Sequence, residues 1–149
     1  MGFLRERPRS ILASSAVIAA LVLLVACGSD DVGGAITPQP DDLDGSNYTS
    51  TKVTGHDLAP DSVIALAFKS ETMAVLGGCN TQTAGYEVAD DKLRWTGPAA
   101  STKKACSAAL EEQDRWLAGL FTKGMTASLD GSTLTLESGD VTIVLQSTT

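Results

Sequence analysis

The sequence predicts a mainly β (α+β) fold: an antiparallel meander or partly closed β-barrel of about eight strands, with one amphipathic helix packed on it. Three observations carry this. Short alternating apolar and polar runs recur between turn residues from Leu43 to the C-terminus. One stretch alone, Ala108 to Phe121, switches to helical spacing. Cys79 and Cys106 flank the passage between the two patterns.

The strands follow in order. Tyr48 to Val53 alternates and is rich in threonine, and Val63 to Phe68 is apolar. Thr72 to Leu76 comes after the polar turn Lys69-Ser70-Glu71. Gly85 to Val88 and Lys92 to Thr96, separated by Ala89-Asp90-Asp91, read as a hairpin. Met125 to Leu129, Thr133 to Glu137 and Val141 to Leu145 are joined by Asp130-Gly131 and Ser138-Gly139-Asp140. Asp-Gly between alternating segments is a strong hairpin cue, since both residues tolerate positive φ.

In the helical stretch, Ala109, Leu110, Trp116, Leu117, Leu120 and Phe121 share one side, and Glu111, Glu112, Arg115 and Ala118 the other. Ser107 is placed to be the N-cap, and Glu111 and Glu112 complement the helix dipole. Gly119 weakens the helix without breaking it. The apolar stripe must be covered, and the open side of the sheet is the surface that can cover it. The helix is therefore expected to act as a plug.

Ahead of this domain lies a different kind of sequence. Arg5, Arg7 and Arg9 precede an apolar run from Ile11 to Val25, the layout of a secretory signal. Leu24-Val25-Ala26-Cys27 resembles a bacterial lipobox, which implies cleavage before Cys27 and acylation of its thiol, with palmitate among the acyl chains expected. The run is short for a membrane span, and the small, acidic Gly28-Ser29-Asp30-Asp31 is unlike a stop-transfer segment. Residues 27–42, with Val32 and Ile36 as their only sizeable apolar groups, read as a flexible tether. The expected organisation is a signal peptide over residues 1–26, a lipidated tether over 27–42 and a domain over 43–149. The protein would be anchored in the cell membrane through lipid on Cys27, its domain on the extracytoplasmic side.

Charge narrows the partners. The 149 residues carry a net charge of −7. Beyond residue 26, 8 basic against 17 acidic side chains leave −9. Such a surface repels phosphate backbones, which argues against nucleic acid.

With Cys27 acylated, Cys79 and Cys106 are the remaining thiols, and in an oxidising compartment they are expected to pair. Two buried free thiols are the alternative; a zinc site lacks further ligands. His56 lies in the polar stretch Gly55-His56-Asp57 and reads as a solvated loop residue, with no nucleophile and base beside it. The acidic pairs at Asp30-Asp31, Asp41-Asp42 and Asp90-Asp91 lack calcium-loop spacing. Gly77-Gly78 is no phosphate loop; it suits a close backbone approach or a bulge. No metal or cofactor is expected.

Gly78-Cys79-Asn80, Gly85-Tyr86, Leu93, Thr102 to Cys106, Trp116 to Leu120 and Asp130 to Leu136 together resemble the META domain (HslJ-like) family. The likeness runs from about Leu43 to Val144. Tyr48 stands where the family usually has Trp, and Lys103-Lys104 replaces a more apolar pair. The resemblance implies a small β-rich fold with one helix and no catalytic residues. It also implies a setting among envelope lipoproteins linked to stress response. Two functional classes follow: a non-catalytic protein that binds another envelope component, or a carrier of a small apolar ligand held between sheet and helix. An enzyme is not expected.

Overall fold

The structure is a computed structural model and describes residues 33–148. The expected signal peptide and Cys27 lie outside the described residues.

Among the described residues, nine strands and two helices follow in the order α1 (Pro40–Leu43), β1 (Asn47–Thr54), β2 (Ala65–Lys69), β3 (Thr72–Leu76), β4 (Thr81–Ala89), β5 (Lys92–Trp95), β6 (Ala100–Ser101), α2 (Ala108–Lys123), β7 (Met125–Asp130), β8 (Thr133–Ser138) and β9 (Val141–Ser147). All pairings are antiparallel, in the order β3-β2-β1-β9-β8-β7-β5-β4-β6, and a further β3–β4 pairing closes eight of the strands into a barrel. The expected β-rich fold with one packed helix is present, and its barrel is fully closed. Strands β2 to β5 and β7 to β9 alternate strictly in their central positions, as a closed barrel with one filled side requires.

Four two-residue loops set the register. Lys69 pairs Thr72 and Ala89 pairs Lys92, leaving Ser70-Glu71 and Asp90-Asp91 as loops with positive φ at both positions, the type I′ pattern. Asp130 pairs Thr133, so that loop is Gly131-Ser132 and not Asp130-Gly131. Positive φ is needed there at Gly131 alone, the type II′ pattern, and Gly139-Asp140 repeats it.

The barrel has one weak seam. β5 and β7 share only two residue pairs, Lys92 with Thr126 and Leu93 with Met125. Beyond Leu93 the strands part. β5 turns away through Thr96 to Ala99, and β6 resumes pairing with β4 at Ser101 and Ala100. Helix α2 fills the gap: Leu117 and Phe121 are completely buried, and the Phe121 ring lies 5.6 Å from that of Trp95. The helix is a plug, as expected, and the diverging seam is the physical reason one is needed.

The helical phase differs in detail from the sequence reading. Ala109 is exposed and Trp116 half-buried, while Gln113 and Asp114 are buried beside Leu117, Leu120 and Phe121. Ser107 occupies the N-cap position, but its side chain makes no capping bond. Arg115 is exposed as expected.

The expected tether also differs at its distal end. Ile36 exchanges two backbone hydrogen bonds with Leu129 on β7, at 2.9 and 2.8 Å, and the Thr37 hydroxyl donates to Asp91. Leu43, at the end of α1, is completely buried, and the Tyr86 hydroxyl donates to the Pro40 carbonyl. Polarity alone suggested free chain there; an unpaired β7 edge and a site for Leu43 hold it.

Candidate functional site: the cleft beneath the cysteine staple

Gly77 to Asn80 carries the chain from β3 to β4 directly under α2. A Cβ at Gly77 would come within 2.6 Å of Leu117 Cδ1, and one at Gly78 would collide with Asp114 Oδ1 and the Leu110 carbonyl. The two glycines thus serve close approach, as their sequence suggested. Immediately afterwards Cys79, buried, is joined to the exposed Cys106 with a Cα–Cα separation of 5.9 Å. The staple spans 27 residues and ties the β3–β4 connection to the segment entering α2.

Asn80 organises the polar side of this junction. Its Oδ1 accepts from the Thr102 hydroxyl at 3.0 Å and from the Lys104 N–H at 2.8 Å. Its own N–H and Nδ2 both donate to Asp114 Oδ2, at 2.9 and 3.0 Å. The Thr102 hydroxyl in turn accepts from the Thr81 N–H. Gly78, Cys79, Asn80, Thr102 and Cys106, drawn from the motif in sequence, therefore meet at one place. Gly85 and Tyr86 do not. Gly85 sits where a Cβ would crowd the Thr96 hydroxyl, and Tyr86 packs at 5.1 Å from Phe68 in the barrel core.

Three further residues belong to this site and were not among the candidates from sequence. Gln82 is 6% exposed and its Nε2 donates to the Asp114 backbone carbonyl at 2.9 Å. Gln113 is 3% exposed; its Oε1 accepts from the Ala59 N–H, and its Nε2 donates to Ser62 Oγ and to the Gly77 carbonyl. Asp114 is 8% exposed, and its Oδ1 has no hydrogen-bond partner. The available signal was the spacing of Leu110, Gln113, Asp114, Leu117 and Phe121, which puts two polar residues inside the apolar stripe.

An open cleft of about 310 Å³ lies between α2 and the β4–β6 pair, lined by Asn80, Gln82, Ser101, Glu111, Asp114 and Arg115. On the far flank of the helix, the His56 ring stacks on Trp116 with centroids 3.7 Å apart and planes 10° from parallel. His56 is thus half-buried against an indole face and not the solvated loop residue expected, because Gln113 draws the 57–62 segment onto the helix. An apolar groove of about 410 Å³ lies along β1 to β3, lined in part by Ala65, Ala67, Ala74 and Leu76. Among the described residues, no group of three or more His, Cys, Asp or Glu side chains could hold a metal ion. No helix among them is long and apolar enough to cross a membrane.

The family model of the META domain matches residues 41–149. The chain belongs to the META domain family. Two solved structures share the fold of this META domain. One, from Burkholderia xenovorans and determined by NMR, is 13% identical, with a TM-score of 0.61 over 98% of this chain and 99% of that one. Another NMR structure is 20% identical, with a TM-score of 0.58 over 73% of this chain and 94% of that one. No curated protein matches.

Proposed function

We propose that this protein is a lipid-anchored, non-catalytic binding module of the cell envelope. In this reading its META domain stands on the extracytoplasmic side of the membrane and engages another envelope component in a structural or stress-related role. The observation that carries the reading is the lipobox at Leu24 to Cys27, placed just ahead of a closed domain. Two features support a binding role over chemistry. Asn80 spends its amide on holding the junction together, and the one histidine is stacked on Trp116. The acidic charge of the part beyond residue 26 sets nucleic acid aside as a partner.

An apolar ligand between sheet and helix is less well supported, because that interface is occupied by Leu117, Leu120 and Phe121. The outer groove along β1 to β3 is the better footing for that alternative.

Fractionation of cells expressing Cys27→Ser tests the anchor. Precursor accumulation or release of the protein from the membrane is expected. A variant that stays membrane-bound and is processed to wild-type size overturns the reading.

A further inference from the structure

The cleft beneath α2 is lined by acceptors that the protein does not use. Gln82 is more than nine-tenths buried, and the bond from its Nε2 to the Asp114 carbonyl fixes the orientation of its amide. Gln82 lines the cleft, and no donor among the described residues reaches its Oε1. Beside it, Asp114 brings a buried carboxylate that has neutral donors only from Asn80 and no cation at ion-pair distance among the described residues. Its unpartnered Oδ1 is closed off from solvent against Gly78, so Asp114 acts on a cation in the cleft through its field and not by contact. Glu111 adds a second carboxylate at the rim.

Arg115 completes the lining. Glu111 and Arg115 stand at i and i+4 on the helix, a spacing at which opposite charges commonly pair, yet no ion pair joins them. Both charges are exposed at the cleft. The site thus offers amide and carboxylate oxygens to a cation together with one guanidinium to an anion. Its volume of about 310 Å³ is at the small end of ligand pockets.

We propose that this cleft binds a small zwitterion of the amino-acid type. The ligand's ammonium donates to Gln82 Oε1 in the field of Asp114 and Glu111, and its carboxylate pairs with Arg115. The proposal goes beyond the reading of the META domain as a module that engages another envelope component, adding to it a separate small-molecule site. It needs no covalent step.

Calorimetric titration of the full-length protein in neutral detergent with three probes tests it. L-alanine carries both charges, L-alaninamide only the cation and N-acetyl-L-alanine only the anion. Alanine and alaninamide should bind, and N-acetylalanine should give no binding heat. Arg115→Ala should weaken alanine about five-fold, the upper range for an exposed ion pair, and leave alaninamide unchanged. Glu111→Gln should weaken both ammonium ligands by a similar factor. Gln82→Leu should abolish binding of both; since that variant removes a buried hydrogen bond, the two rim variants decide the matter if it fails to fold.

Absence of binding by alanine and alaninamide overturns the proposal. So does N-acetylalanine binding as tightly as alanine, or an equal effect of Arg115→Ala on both ammonium ligands. Cys27→Ser should bind alanine like the wild type, so a failure of the anchor and a failure of the cleft are separately visible.

Discussion

Gly78 passes so near α2 that any side chain there displaces either the Asp114 carboxylate or the helix backbone at Leu110. Because one of the obstructing atoms is a backbone carbonyl, relaxation requires the helix to move. Gly78→Ala is expected to lower stability by about 1–3 kcal/mol, the range for overpacking a filled site. Gly97→Ala is the comparison, since nothing lies within 4 Å of its would-be Cβ. Its effect in a urea titration should stay within about 0.5 kcal/mol. The two tyrosines report at the same scale. Burial, the dominant cause, raises the ionisation of Tyr48 and Tyr86 above the ordinary value of 10.0, and for Tyr86 the carboxylates of Asp44, Asp41 and Glu71 add to it. In the unfolded chain these protons leave near pH 10, whereas the folded domain retains them. The contribution of these two groups to stability should therefore be constant below that pH and fall as pH rises beyond it. Ultraviolet difference titration should show phenolate appearing together with loss of the near-ultraviolet circular dichroism of the fold. Phenolate formation at the ordinary pH in a folded domain would contradict this.

At the scale of single elements, α2 separates what its sequence discloses from what it does not. Its existence, its extent to within two residues and the burial of Leu117, Leu120 and Phe121 follow from the apolar spacing. The burial of Gln113 and Asp114 does not, because a polar side chain is admitted to a core only by partners distant in sequence. Gly77, Ser62 and Ala59 hold Gln113, and Asn80 holds Asp114. Likewise the docking of Ile36 and Leu43 was hidden, since the β7 edge and barrel end that receive them exist only after closure. Leu117→Ala should cost roughly 2–5 kcal/mol, and Arg115→Ala less than about 0.5 kcal/mol, as measured by chemical denaturation. Gly119→Ala tests the helix in the opposite direction. The site is exposed and open, so removing the backbone freedom of glycine should stabilise by about 0.5–1 kcal/mol. A loss at Gly119 would mean that the helix makes a contact on that face.

Over the whole molecule, the chain must close a ring of eight strands across a seam of only two residue pairs, and the helix that fills the rest of that seam arrives through the exposed segment Thr102 to Ser107. The Cys79–Cys106 link fixes that segment to the β3–β4 connection, so it holds α2 at its N-terminal end, while Phe121 packs near the C-terminal end. Closing a loop of 27 residues restricts the unfolded chain by about 3–4 kcal/mol on the loop-entropy account. For a domain of this size, that corresponds to a melting temperature lowered by on the order of 10–20 °C on reduction. The Asn80 bonds to Thr102, Lys104 and Asp114 do not depend on the sulfurs, so the reduced domain should still fold, with its helix docked but more weakly held. Cys79→Ser, Cys106→Ser and the double variant should each lose a similar amount, because each removes the same link. Two alkylated cysteines in unreduced mature protein, or melting unchanged by reductant, would show that the hydrogen bonds around Asn80 and the burial of Leu117 and Phe121 are sufficient to hold the plug in the seam.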